Sequence, residues 1–287
     1  MPWADVVVVK SKNYADARAQ AERIAAEAVA PAAGQRPDML VVMGGDGMAA
    51  LGINACADAN LQLGIVPAGT GNDIARGMGL PQDPMETAKA IATGQTKQVD
   101  LALVEGDLAD GTKRRYVGSV VCSGYDAKVN FRVNNSRFWL GKFNYLWATL
   151  TEILKLRPLK YRIAIDGEEF ELNALLIAVG NAGYYGGGVH INPDADPTDG
   201  LLDITIIDDK AGRLTLLKVF PQLMREQFIS HPAVSFRRGR EIYLDGDGLI
   251  PMADGEELGP APLYITSMPR KLTLLCGPMA GAEVTAE

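Results

Sequence analysis

Met39-Leu40-Val41-Val42-Met43-Gly44-Gly45-Asp46-Gly47 runs from five apolar residues straight into a glycine-rich turn. The apolar run has the length of a buried strand, and the turn opens a helix predicted to reach about Ala57. The pattern then repeats. Residues 63–66 read as the next strand, the loop Pro67-Ala68-Gly69-Thr70-Gly71-Asn72-Asp73 follows, and a short helix ends near Gly77. A further helix is predicted from about Pro84 to Thr93. Upstream, the β-branched residues 6–10 read as a strand. Asn13 can cap the helix after it, with Asp16 favouring the positive helix end. Ala21, Ile24, Ala25, Ala28 and Val29 recur at helical spacing on one packing face, and residues 31–37 break the pattern. Strands alternating with helices imply parallel pairing through right-handed crossovers.

From Lys97 onward strands dominate, at 98–104, 115–122, 161–165, 169–179, 201–207, 241–244, 263–266 and 271–276. Asp166-Gly167 and Asp254-Gly255 signal tight hairpin turns. Helical segments interrupt near 141–156 and 213–222. The predicted fold class is α/β plus all-β: a Rossmann-like parallel α/β domain over residues 1–96, then a β-sandwich-like domain over 97–287. With no low-complexity linker between them, the two are expected to abut across a cleft.

The chain has 287 residues, 47% hydrophobic and 22% charged, which is the composition of a soluble globular protein. Its net charge of −7 argues against a nucleic-acid binder working by bulk attraction to phosphates. Cys56, Cys122 and Cys276 form no CxxC pair, so a disulfide scaffold and a cysteine-rich zinc site are ruled down and a reducing cytoplasm is expected. The two histidines, His190 and His231, are too far apart in sequence to suggest a metal pair. No apolar run approaches the length of a membrane span, and the first residues lack a basic leader.

In the turn Gly44-Gly45-Asp46-Gly47, glycines let backbone N–H groups approach an anion closely, and the helix start adds partial positive charge. Asp46 is the odd residue. A carboxylate beside a phosphate needs a cation between them, and Mg²⁺ is the usual one. The Gly-Lys-Ser/Thr ending of a P-loop is absent. A plain βα turn with glycines serving only packing is the other reading. The second loop offers Gly69 and Gly71 as exposed backbone, with Thr70, Asn72 and Asp73 as polar groups; its other reading is a turn with Asn72 or Asp73 as helix cap. Two such loops after successive strands point into one crevice, where open α/β sheets bind ligands. Further on, Asp194, Asp196, Asp199 and Asp203 crowd four acids into ten residues, a density that costs repulsion without a hard cation. A solvated acidic turn is the alternative.

Together these loops resemble the diacylglycerol kinase catalytic domain of the bacterial lipid kinases. The resemblance continues through Gly124-Tyr125-Asp126-Ala127, the segment 181–188, the acidic stretch 193–204 and Asp254-Gly255-Glu256. It implies an ATP-dependent kinase with a nucleotide domain followed by a lipid domain. Gly44, Gly45, Asp46, Gly47, Thr70, Gly71, Asn72 and Asp73 then match the cradle for the ATP phosphates. Asp46, Asp73 and Asp126 match a carboxylate network holding Mg²⁺. Asp196, Asp199 and the backbone oxygen of Leu201 match a second Mg²⁺ site. Glu256 matches the general base, acting with Asp46 in catalysis. Asp166-Gly167-Glu168 has the same spacing as 254–256, and only the resemblance favours Glu256. The family pattern departs at Met48, where a threonine is usual, and an opening strand–Asn-Pro-Gly–helix unit finds no match ahead of residues 6–10.

Residues 128–162 carry eight basic residues against Glu152 alone, interleaved with aromatics. Such a segment suits an anionic lipid surface, so peripheral contact at the inner membrane face is expected; a core of aromatics under a solvated charged face is the alternative. The expected partner is a lipid substrate, not nucleic acid, and an unpaired sheet edge could support a homodimer. An NAD kinase-like enzyme with a soluble substrate and an inactive regulatory relative are the rival functions.

Overall fold

The computed structural model describes residues 6–32, 34, 37–59, 61–124, 157–210 and 232–276. The predicted helices near 141–156 and 213–222, Asp126, His231 and most of the basic segment 128–162 lie outside them.

α1 (Tyr14–Glu27) begins as its cap requires: the Asn13 side chain accepts from the Asp16 N–H at 2.9 Å. Ala17 and Ala21 bury themselves against Leu51, while Val29 lies past the helix end and is exposed, unlike the predicted face. β1 (Met39–Gly44), α2 (Asp46–Cys56), β2 (Gln62–Pro67), α3 (Asp73–Gly77) and α4 (Pro84–Thr93) follow in the predicted order. β1 and β2 pair in parallel, Met39 with Gln62 through to Gly44 with Pro67. Asp83 caps α4, accepting from Met85 and Glu86, and Gly94 closes it with φ +70°.

Residues 6–10 do not form the predicted strand, and Val6 to Val9 are exposed. β-branched residues settle in a sheet only when a neighbour takes up their backbone groups and covers their side chains. Here β1 ends the strand order, and no described segment pairs with its free edge.

The remaining strands are β3 (Thr96–Glu105), β4 (Arg114–Val117), β5 (Val120–Gly124), β6 (Leu159–Ile165), β7 (Glu168–Gly180), β8 (Tyr184–Tyr185), β9 (Val189–His190), β10 (Leu202–Asp208), β11 (Val234–Gly239), β12 (Glu241–Asp245), β13 (Met252–Ala253), β14 (Glu256–Glu257) and β15 (Leu263–Leu275). The architecture is mixed α/β followed by a β-rich part. One sheet runs through both, in the order β1-β2-β15-β12-β6-β7-β5-β13-β14. β15 brings the end of the chain back beside β2, in parallel, and pairs antiparallel with β3. One apolar core therefore joins Leu63 and Ile65 to Val99, Leu101, Leu272 and Leu274. A second core lies among β6, β7, β10 and β12.

Two strand predictions need correction. Residues 115–122 divide into β4 and β5 at Gly118-Ser119. Gly118 passes so close to α2 that a Cβ there would meet Ile53 Cδ1 at 2.5 Å. Conversely, 263–266 and 271–276 are one strand whose register shifts between Met268 and Leu272, around Arg270 with φ +54°. Asp100 fixes that bend. It is fully buried and accepts from the N–H groups of Gly200 at 2.7 Å and Arg270 at 2.6 Å, tying β3 to both loops.

Candidate active site

The two glycine loops meet backbone to backbone. A Cβ built on Gly69 would stand 2.4 Å from Gly45 Cα, and one on Gly71 would stand 2.8 Å from Asp46 Oδ2. Only glycine permits this approach. Asn72 sits in the left-handed region, φ +56°, at the cap position of α3. Its side chain turns back instead, accepting from the Gly69 N–H at 2.9 Å, so it closes the loop and does not cap the helix. The capping role falls to Asp46, whose Oδ1 accepts from the Ile74 N–H at 3.0 Å. Asp46 thus begins α2 and holds α3. Thr70 is exposed at the loop tip. Met48 folds back on Gly44, where a Cβ would meet its Cγ at 2.6 Å, and packs toward the α1 core. We predict that Gly69→Ala lowers the melting temperature, since the backbone clash costs about 1–3 kcal/mol. An unchanged melting temperature would refute the close approach.

A third segment joins them. Asp73 is buried; its Oδ2 accepts from the Gly187 N–H at 2.6 Å and its Oδ1 from Arg76 Nη1 at 3.1 Å. The Arg76 guanidinium lies over the Tyr184 ring, 5.4 Å from its centroid. Burial pushes the Asp73 carboxyl up and neighbouring Asp46 adds to this, against the Gly187 N–H and Arg76.

Glu256 enters from the far end of the chain. The turn Asp254-Gly255, with φ +52° and +83°, joins β13 to β14 and sets Glu256 as the first residue of β14. Its Oε2 accepts from Arg115 Nη2 at 2.6 Å. Asp254, in the same turn, is buried. Its Oδ1 accepts from the Ser119 hydroxyl, and its Oδ2 has no hydrogen-bond partner among the described residues. Burial above all, then the charges of Asp46 and Glu256, push its carboxyl up to about 6 against Ser119 and Arg115. Asp46, Asp254 and Glu256 therefore share one electrostatic neighbourhood. Arg115 is its cation: burial opposes its charge, but Asp254 and Glu256 win and raise its pKa. No spacing signal singled out Arg115 or Ser119. The rival triplet 166–168 is a plain β6–β7 turn, with Asp166 Oδ1 accepting from the N–H groups of Arg240 and Glu241.

Glu256 also lines a groove of about 390 Å³ between α1, α2 and β4. Tyr14 lines it next to the first glycine turn, 4.0 Å from a Cβ placed on Gly47. Burial raises the Tyr14 hydroxyl pKa, and Glu256 adds to the effect.

The acidic turn is partly paired within the chain. Asp199 accepts from the Leu201 N–H at 2.9 Å with Oδ1 and from Arg238 with Oδ2. Arg238 also pairs with Asp203 at 3.0 Å, and Asp196 Oδ1 accepts from the Thr198 N–H and hydroxyl. Among the described residues no three acid, histidine or cysteine side chains stand together as a metal site. Arg238 from β11 thus offsets part of the charge of this turn, through Asp199 and Asp203, while among the described residues the Asp196 carboxylate bonds only to Thr198. At the glycine loops the donor chemistry does fit. Asp46 Oδ2 and Asp73 Oδ2 lie 2.8 and 3.6 Å from one point, the Cβ position of Gly71, and such hard oxygens suit a divalent cation.

Residues 5–104 match the diacylglycerol kinase catalytic domain, and residues 119–276 match the YegS C-terminal NAD kinase beta sandwich-like domain. A diacylglycerol kinase of Mycobacterium tuberculosis is 36% identical over 273 residues, covering 94% of this chain and 84% of that protein. The chain belongs to the diacylglycerol kinase family. It is a phosphotransferase with an alcohol acceptor. Among other relatives of this lipid kinase, a probable YegS-like lipid kinase of Stenotrophomonas maltophilia is 28% identical over 79% of the chain and 76% of that protein. A crystal structure of a diacylglycerol kinase from Bacillus anthracis, described as putative, shares the fold, with TM-score 0.75 at 23% identity over 96% of this chain and 87% of that one. No described helix is long and apolar enough to cross a membrane.

Proposed function

We propose that this kinase transfers the γ-phosphoryl group of ATP to the hydroxyl of diacylglycerol, giving phosphatidic acid. The observation that supports the reading is that Glu256 lines one groove with Tyr14, and Tyr14 stands 4.0 Å from a Cβ placed on Gly47 in the first glycine turn, next to Asp46. Phosphoryl transfer needs neutralised phosphates, an aligned acceptor and a group that takes the hydroxyl proton. Backbone N–H groups of the two glycine loops and the start of α2 receive the phosphates. Asp46 and Asp73 would hold Mg²⁺, which when bound neutralises phosphate charge. Arg115 fixes one oxygen of Glu256, leaving the other to accept the proton. The 390 Å³ groove brings the acceptor to that oxygen. Labelled ATP with diacylglycerol in mixed micelles should yield labelled lipid; EDTA should stop the transfer and added Mg²⁺ restore it. Transfer untouched by EDTA would remove the cation from the account.

A further inference from the structure

Helical spacing puts Tyr14 on the same face of α1 as Ala17 and Ala21, the residues that pack on Leu51 of α2. It stands where that contact ends, in the first turn of α1, beside the first glycine turn and lining the groove that Glu256 also lines. Packing explains the ring, whose Cε2 is 4.0 Å from a Cβ placed on Gly47. It does not explain the hydroxyl. The hydroxyls of Tyr116, Tyr161 and Tyr243 each donate to a partner: Asp58 at 2.9 Å, the Ser123 carbonyl at 3.0 Å and Asp245 at 3.2 Å. The Tyr14 hydroxyl has no hydrogen-bond partner among the described residues. The other side-chain donors of the groove are engaged. Arg115 holds Glu256 at 2.6 Å, Arg18 pairs with Glu22 at 2.9 Å, and Arg114 with Asp58 at 3.4 Å. Asn54 donates to the carbonyls of Ala50 and Tyr116, and the Thr112 hydroxyl to Asp110. Burial and then Glu256 raise the Tyr14 pKa, so at neutral pH the hydroxyl keeps its proton and can donate. Glu256 is the charge it feels most strongly, ahead of Arg115.

Phosphoryl transfer sets its parts in a line: the departing oxygen of ADP, the phosphorus, the acceptor oxygen, and then the base that takes the acceptor's proton. With phosphates on the glycine turns and Glu256 as base, the group in transit falls between Gly47 and Glu256, the interval that Tyr14 borders. We propose that the Tyr14 hydroxyl donates a hydrogen bond to the phosphoryl group in transit, a contact strongest in the transition state. The inference rests on the kinase reading above and adds a catalytic residue to it. The bond from phosphorus to ADP breaks, its electron pair leaving with ADP, as the bond to the acceptor oxygen forms. Glu256 receives the acceptor's proton, and Tyr14 keeps its own. Negative charge spreads over the three equatorial oxygens during transfer, and a fixed neutral donor meets it without bringing another charge into the groove.

Tyr14→Phe keeps the ring beside Gly47 and removes only the donor. Calorimetry on the full chain with ADP, Mg²⁺ and aluminium fluoride, which mimics a phosphoryl group in transit, reads the contact without turnover. The variant should bind that complex at least about tenfold more weakly than the parent, a difference of about 1.4 kcal/mol, with affinity for ADP alone and melting temperature unchanged. In turnover, kcat for lipid phosphorylation should fall by about 10²-fold while KM for ATP holds. Equal binding of the fluoride complex by the two proteins would overturn the proposal. So would a matching loss of affinity for ADP alone, which would make Tyr14 a packing residue of the nucleotide site. Weakened binding of the fluoride complex with no label ever reaching diacylglycerol would sustain Tyr14 and count against the lipid acceptor. Label reaching diacylglycerol as fast in Tyr14→Phe as in the parent would overturn the Tyr14 assignment and leave the kinase reading standing.

Discussion

Glu256→Gln should fold normally and lose catalysis. The amide keeps an acceptor for Arg115 and removes only the basic oxygen. A positioned general base contributes about 10²–10⁴-fold, so kcat for lipid phosphorylation should fall by that range. Glu256 is partly exposed and Arg115 retains Asp254, so the stability change should stay within about 1 kcal/mol, a shift of a few degrees in melting temperature. ATP affinity should not move. Near-normal turnover by this variant would remove Glu256 from the mechanism.

Asp254→Asn should separate stability from activity. The Asp254 carboxyl is pushed up to about 6, from 3.8, chiefly by burial. Its folded-state pKa is raised, so the folded protein holds the proton more tightly than the unfolded chain does. The corresponding stability is present below about pH 4 and is lost as pH rises through 6. Two pKa units correspond to about 3 kcal/mol. Asparagine is uncharged at every pH, so the variant should be more stable than the parent at pH 8 by up to that amount, less whatever its buried amide leaves unpaired. The gain should vanish at pH 4. Activity should fall, because Arg115 loses one of its two carboxylates and its hold on Glu256 changes. Thermal melts at the two pH values check the claim; an equal gain at both would contradict it.

The opening half of the fold was legible because its signals are local. Five apolar residues before a glycine turn, an asparagine cap before α1, and Asp83 before α4 each specify an element without help from distant chain. The valines at 6–9 show the limit: strand propensity is unrealised when no neighbour pairs with it, and nothing within the segment says whether one will. The same limit hid the division of 115–122, which depends on how closely Gly118 passes Ile53.

The site was legible at its glycines and less so at its charges. Gly45, Gly69 and Gly71 do touch or face one another as their loops suggested. In the acidic stretch, the pairing of Asp199 and Asp203 with Arg238 was not legible, because Arg238 lies on a strand that the sequence pattern did not reveal. Asp254 and Glu256 stood in a triplet with a decoy of equal spacing at 166–168. Only the fold shows that one triplet pairs with Arg115 and lines the groove while the other closes an ordinary turn.

The most direct test of the account is a competition of acceptors. The full chain is incubated with γ-labelled ATP and Mg²⁺ in the presence of both diacylglycerol micelles and NAD, and the label is followed into the organic and aqueous phases. The account predicts label in phosphatidic acid and none in phosphorylated NAD. Label in the dinucleotide, or in neither acceptor while ATP binds, would contradict it.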